Sequence, residues 1–202
     1  MKKNLYFFTI YLLLIMTFIN QKVFSENFNS SASILLYHRF GENNFPSTSI
    51  TIEQLDKHIE TLLNSEYNIM RLENIALAIT RGESLPDKTV GISIDDAFLS
   101  VYEVAWPKFL EAKIPFTVFV STEHIDKKYP SMMSWDQIKE MHNSGVTIGN
   151  HLATHDSMIN LEPNIWKLKV DIAQKKLTEV LGEKPKLFAY PYGEANNEIK
   201  IF

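Results

Sequence analysis

Short apolar runs alternate with longer amphipathic stretches along this chain. Ile34 to Tyr37 reads as a strand ending in His38-Arg39, and residues 41 to 50 read as a loop. Thr51 with Gln54 has capping-box spacing, and Leu55, Ile59, Leu62 and Leu63 then form the apolar face of a helix. Ile69 to Leu72 predicts a strand, and Asn74 to Thr80 a short helix ended by Gly82. Val90 to Ile94 predicts a buried strand ending at Asp95. Ser100 to Ala112 has helical spacing, and Phe116 to Val120 is a strand. Ser134 caps a helix carrying Trp135, Ile138 and Met141, which Gly145 ends. Val146 to Ile148 leads into Gly149, Asn150 and His151. Ile165 to Leu181 is a helix stopped by Gly182, and Leu187 to Tyr190 predicts a last strand before Pro191-Tyr192-Gly193.

Strand and helix in alternation at this spacing imply a parallel sheet with right-handed crossovers. About six strands predict an α/β fold, a (β/α) barrel or an open relative of one. In such folds the C-terminal strand ends share one face, where chemistry is placed. His38, Asp95-Asp96, His151 with His155, and Pro191 to Gly193 all fall at strand ends.

The N-terminus differs in kind. Lys2-Lys3 precede an uncharged run from Leu5 to Ile19, and Val23-Phe24-Ser25 follows ahead of Glu26. A charged start, apolar middle and small residue at the cleavage point predict a signal peptide over 1–25 and export to the periplasm, cell surface or medium. The run is short for a membrane span, so a membrane is a partner only if this segment stays uncleaved. Residues 26 to 32 read as a polar linker, and 33–202 as the domain. The net charge of -4 argues against nucleic acid as a partner. With no cysteine in 202 residues, any metal must be held by histidine and carboxylate.

Two histidines and one carboxylate suit a hydrolytic divalent ion with water in an open position. Such an ion acidifies its water to a pKa of about 7 and polarises a carbonyl. One aspartate of the Asp95-Asp96 pair would bind metal while the other takes a proton from the attacking water. The plainer alternatives are a helix N-cap for the aspartates and loop histidines satisfied by backbone. His58, His124 and His142 read as structural or exposed, Asp156 as a surface acid, and Trp135 and Trp166 as core.

Val90-Gly91-Ile92-Ser93-Ile94-Asp95-Asp96-Ala97 resembles the first motif of the polysaccharide deacetylases, the NodB-homology domain of carbohydrate esterase family 4. Asn150-His151-Leu152-Ala153-Thr154-His155 resembles their second motif and Tyr190-Pro191-Tyr192-Gly193 their third. Leu36-Tyr37-His38-Arg39, Pro115 to Val120 and Ser134 to Gln137 are also similar, so the likeness runs from about Ile34 to Ile199.

The resemblance implies a metal-dependent N-deacetylase of an N-acetylated polysaccharide, with Zn²⁺ first among the candidate ions. Asp95 would be the base, and Asp96, His151 and His155 the metal ligands. Pro191, Tyr192 and Gly193 would meet substrate, with the Tyr192 N–H holding the oxyanion; Asn150, Thr154 and His38 would be site neighbours. Ala97 stands in place of the usual glycine, Leu152 in place of Ser or Thr, and Ala189 in place of an arginine that steadies the base. The family continues past the third motif to a histidine acting as general acid, so the C-terminal part of the barrel is expected to be missing at Phe202. A catalytically impaired truncated remnant or glycan-binding module, and an O-acetyl esterase on the same scaffold, are the rival functions.

Overall fold

The computed structural model describes residues 31–201. The expected signal peptide and most of the expected linker therefore lie outside the described residues. The central sheet is parallel. Strand β1 (Ser33–Tyr37) pairs along β5 (Thr89–Asp95), which pairs with β6 (Thr117–Val120), which pairs with β7 (Thr147–Asn150). The short strand β4 (Asn68–Ile69) pairs with the start of β5. All seven residues of β5 are buried, as befits a central parallel strand covered on both faces, the polar Thr89, Ser93 and Asp95 included. A separate pair, β2 (Arg39–Phe40) with β3 (Ser49–Ile50), forms inside the segment predicted to be a loop.

The helices follow local signals closely. Helix α1 (Ile52–Leu63) starts at a complete capping box made by Thr51 and Gln54. It buries Leu55 and Leu62, whereas Leu63 faces solvent. Helix α2 (Leu72–Arg81) begins earlier than predicted and ends at Gly82 in the left-handed conformation. The helix predicted from Ser100 forms, with a π-helical turn (Val101–Ala105) running into α3 (Trp106–Glu111). Pro107 has no N–H to give to the ladder, which explains the change of helix type at this point. A short helix, α4 (Thr122–Asp126), follows β6 and was not foreseen. Helix α5 (Trp135–Asn143) has its own capping box from Ser134 and Gln137. The longest helix among the described residues, α6 (Pro163–Leu181), is closed by left-handed Gly182, and α7 (Asn197–Ile201) ends the described chain.

The predicted strand from Leu187 to Tyr190 is reduced to a single parallel bridge, Asn150 to Phe188. The Asn150 N–H donates to the Leu187 carbonyl at 2.9 Å, and the Ala189 N–H donates to Asn150 at 3.0 Å. Flanking Pro185 and Pro191 limit how far this segment can pair.

The main core lies between the sheet and helices α1, α3 and α5, with Ile92, Ile94, Val118, Val120, Phe109 and Ile138 fully enclosed. A second cluster of Leu152, Met158, Trp166 and Ile199 sits behind the loop that follows β7. That loop carries the histidines, so burying Leu152 and Met158 fixes its path.

Candidate metal centre

The C-terminal ends of β5 and β7 bring three donors together. The Asp96 Oδ1 atom lies 3.1 Å from His155 Nε2 and 3.7 Å from His151 Nε2. All three donor atoms fall within 4.8 Å of one another. Bonds to zinc of about 2.0–2.1 Å in tetrahedral array would separate ligand atoms by about 3.3 Å, so the spacing fits one shared ion. Asp96 Oδ1 is buried and has no hydrogen-bond partner among the described residues, a costly state for a carboxylate oxygen unless a cation meets it.

The tautomer of His151 follows from its neighbour. Its Nδ1 lies 2.9 Å from the Ala189 carbonyl. A carbonyl only accepts, so Nδ1 carries the proton and the Nε2 lone pair is left facing Asp96. Burial pushes the His151 imidazole down to about 4, so it stays neutral and able to ligate at neutral pH.

Asp95 ends β5 beside this trio, with Oδ2 3.9 Å from His151 Nε2. Burial raises its carboxyl from 3.8 to about 6, and the nearby His38 opposes that rise. The Ser93 hydroxyl donates to Asp95 Oδ1 at 3.3 Å. A carboxylate held near the working pH range suits a general base better than an ordinary aspartate does.

Backbone geometry at the site is unusual. Asp96, Ala97, Leu152, His155 and Tyr192 all have positive φ, between 55° and 73°. Each costs on the order of 1 kcal/mol or more for a residue other than glycine, so the surroundings must impose it. Ala97 at φ 60° sits where glycine would be unstrained. The helical segment after this turn begins at Leu99, so neither aspartate is its N-cap.

The other expected residues divide between lining and bracing. Tyr192 is exposed at 67% and its ring packs edge-on against His155, with centroids 4.7 Å apart. Pro191 is buried beneath it, and Gly193 closes the turn at φ 69°. Asn150 braces from behind. Its side-chain oxygen accepts from the Leu152 N–H at 2.9 Å, and its amide donates to the Val170 carbonyl and to Gln174. Thr154 donates its hydroxyl to Asp156, and Lys169 donates to both. Asp156 thus ties the histidine loop to α6 rather than serving as a free surface acid. Trp166 is core as expected, whereas Trp135 is partly buried and donates its indole N–H to Asp126 at 2.9 Å.

His124 was placed away from the site by its sequence context, and the structure corrects this. Helix α4 starts directly after β6, and the His124 ring stands 6.2 Å from the His155 ring while stacking on Tyr129. Its position four residues past a buried strand was the signal available. His58 and His142 are remote: His58 meets the Tyr37 hydroxyl at 3.0 Å, and His142 faces Glu183 at 3.5 Å. A cavity of about 340 Å³ around Arg71, His142, Lys184 and Lys186 contains none of the donors.

The sequence profile described as polysaccharide deacetylase matches residues 82–201. The chain belongs to that family. Its fold is shared with IcaB from Ammonifex degensii, at a TM-score of 0.76 and 30% identity over 84% of this chain and 78% of that one. It also matches the fold of the Streptococcus pyogenes deacetylase PplD in complex with acetate, at a TM-score of 0.76 and 20% identity over 84% of this chain and 77% of that one. By sequence it is 28% identical over 198 residues to the poly-beta-1,6-N-acetyl-D-glucosamine N-deacetylase of Staphylococcus aureus (strain MRSA252), covering 84% of this chain and 67% of that protein. Against the Bacillus subtilis (strain 168) protein YxkH it is 24% identical over 82% of this chain, which spans 58% of the length of that relative. The parallel sheet and strand-end site agree with the expected fold class. No helix among the described residues is long and apolar enough to cross a membrane.

Proposed function

We propose that this chain is a metal-dependent hydrolase that removes N-acetyl groups from an N-acetylhexosamine polymer. One observation carries the reading: the buried, unpaired Asp96 Oδ1 facing two imidazole nitrogens, with the second carboxylate of Asp95 beside it. A divalent ion held by Asp96, His151 and His155, with Zn²⁺ the first candidate, would supply an acidified water and polarise the amide carbonyl.

The chain's own residues do the rest. Asp95, as carboxylate, accepts the proton of the attacking water. The Ala189 carbonyl holds His151 in the tautomer that exposes Nε2. The turn at Pro191, Tyr192 and Gly193 flanks the site, where the Tyr192 N–H stabilises the developing oxyanion; one well-placed donor of this kind contributes about 3 kcal/mol. Exposed Tyr192 gives an open rim suited to a polymer rather than an enclosed small molecule. The S. aureus relatives, named for poly-beta-1,6-N-acetyl-D-glucosamine, support N-acetylglucosamine as the sugar. The charged start and apolar run of residues 2 to 19 support export to where such polymers lie.

The test is acetate release from N-acetylglucosamine oligomers by the full chain with added Zn²⁺. The wild type should release acetate, and Asp95→Asn should lose at least about 100-fold in rate, the usual scale of a positioned base. Equal rates in both would remove Asp95 from the reaction, and no release from the metal-loaded wild type would defeat the proposal.

A further inference from the structure

The Asp96-Ala97 turn is left-handed at two successive residues, neither of which is glycine, with φ 73° and 60°. Something must impose that shape, because it is what aims Asp96 Oδ1 at the histidines. One flank of the turn is held by backbone. The Met133 N–H donates to the Ala97 carbonyl at 3.1 Å, the Leu99 N–H donates to Ser131 at 2.7 Å, and Phe98 bridges Met132. The other flank is held by side chains from the segment after β1. The Arg39 guanidinium lies between two aromatic rings, 3.4 Å from the centre of Phe98 and 3.9 Å from that of Phe45. Arg39 also pairs with Glu42 at 2.5 Å, and the other oxygen of Glu42 accepts from the Ser100 hydroxyl at 2.6 Å. The same hydroxyl oxygen accepts the Phe40 N–H at 3.2 Å.

Phe98 and Ser100 lie two and four residues past Asp96, so both ends of this network grip the segment that leaves the turn. Arg39 is only 12% exposed, and its charge is matched by Glu42 and by two ring faces. A surface arginine would need none of this. The planar guanidinium fills the slot between two rings in a way an ammonium cannot.

We infer that Arg39 is a positioning residue for Asp96: stacked on Phe98 and linked through Glu42 to Ser100, it holds the Asp96-Ala97 turn in the geometry that presents the carboxylate to a metal ion. The inference rests on the metal site proposed above. Arg39 has no contact with the three donor side chains and acts through the turn.

The test reads metal affinity, by Zn²⁺ competition against a chromophoric chelator on the full chain. Arg39→Ala should weaken Zn²⁺ binding by about 10-fold or more, the usual cost of losing a group that orients a ligand. Arg39→Lys, which keeps the charge but not the planar stack, should recover only part of the loss. Ser100→Ala should weaken binding in the same direction, and it keeps the test alive if Arg39→Ala does not fold. Leu62→Ala, in the core away from the turn, lowers stability without touching the clamp and should leave affinity unchanged. Wild-type affinity in folded Arg39→Lys and Ser100→Ala would overturn the inference while leaving the metal site standing. An equal loss in Leu62→Ala would reduce Arg39 to a general stability role. A wild type that binds no Zn²⁺ would overturn the site and the clamp together.

Discussion

Replacing Asp95 with asparagine should make the metal-free protein more stable, and by an amount that depends on pH. Burial raises the Asp95 carboxyl from 3.8 to about 6, and its side chain is only 12% exposed. At about 1.4 kcal/mol per pH unit, that distance corresponds to about 3 kcal/mol. Between these two values the native state holds the proton more tightly than the unfolded chain does, so stability falls as pH rises. The cost is absent below 3.8, grows through the window, and is complete above about 6. Asparagine has nearly the same shape and no charge, and so avoids it. His151 acts in the opposite sense: its value near 4 lies below the ordinary 6.5, so it adds stability as pH rises from 4 to 6.5. Removing the Asp95 charge 3.9 Å away lowers the His151 value further, which costs the variant only at the acid end and leaves the direction of the difference unchanged. The assay is urea unfolding of wild type and Asp95→Asn in EDTA from pH 4 to pH 8. The advantage of Asp95→Asn should rise across pH 4 to 6 and level off near 3 kcal/mol. A difference that is flat with pH, or that favours wild type more as pH rises, would refute the reasoning that Asp95 is a strained, buried base.

Two other substitutions test the scaffold. Asn150→Ala leaves the Leu152 N–H, the Val170 carbonyl and Gln174 without their partner. Urea unfolding should show a loss of about 2–3 kcal/mol, together with weaker metal binding because the histidine loop is released. In Gly149→Ala, two residues before His151, the new methyl would meet the Phe119 ring at 2.4 Å and the Leu187 carbonyl at 3.2 Å. The expected cost is about 1–3 kcal/mol, read as a lowered midpoint in the same assay.

The parts legible in the sequence were those whose cause is local. Val90 to Ile94 and Phe116 to Val120 read as buried strands because a central parallel strand is apolar on both faces. Thr51 with Gln54 and Ser134 with Gln137 read as helix starts because the cap is made within one turn. Asp95, Asp96, His151 and His155 could be nominated because strand ends of a parallel sheet share one face. The parts not legible depend on distant partners. Leu187 to Tyr190 has the composition of a strand, but whether it pairs along its length is decided by its neighbours and flanking prolines. His124 reached the site through a helix too short to announce itself. The left-handed Ala97 and the Arg39 clamp are tertiary features, since no local pattern tells an alanine to adopt positive φ or a guanidinium to lie between Phe45 and Phe98.

The most direct measurement is the stoichiometry and affinity of Zn²⁺ binding by calorimetry on metal-free wild type, Asp96→Ala and His151→Ala. One ion per chain in the wild type, lost in both variants while each remains folded, is the result the account predicts. Undiminished stoichiometric binding in either variant would contradict it.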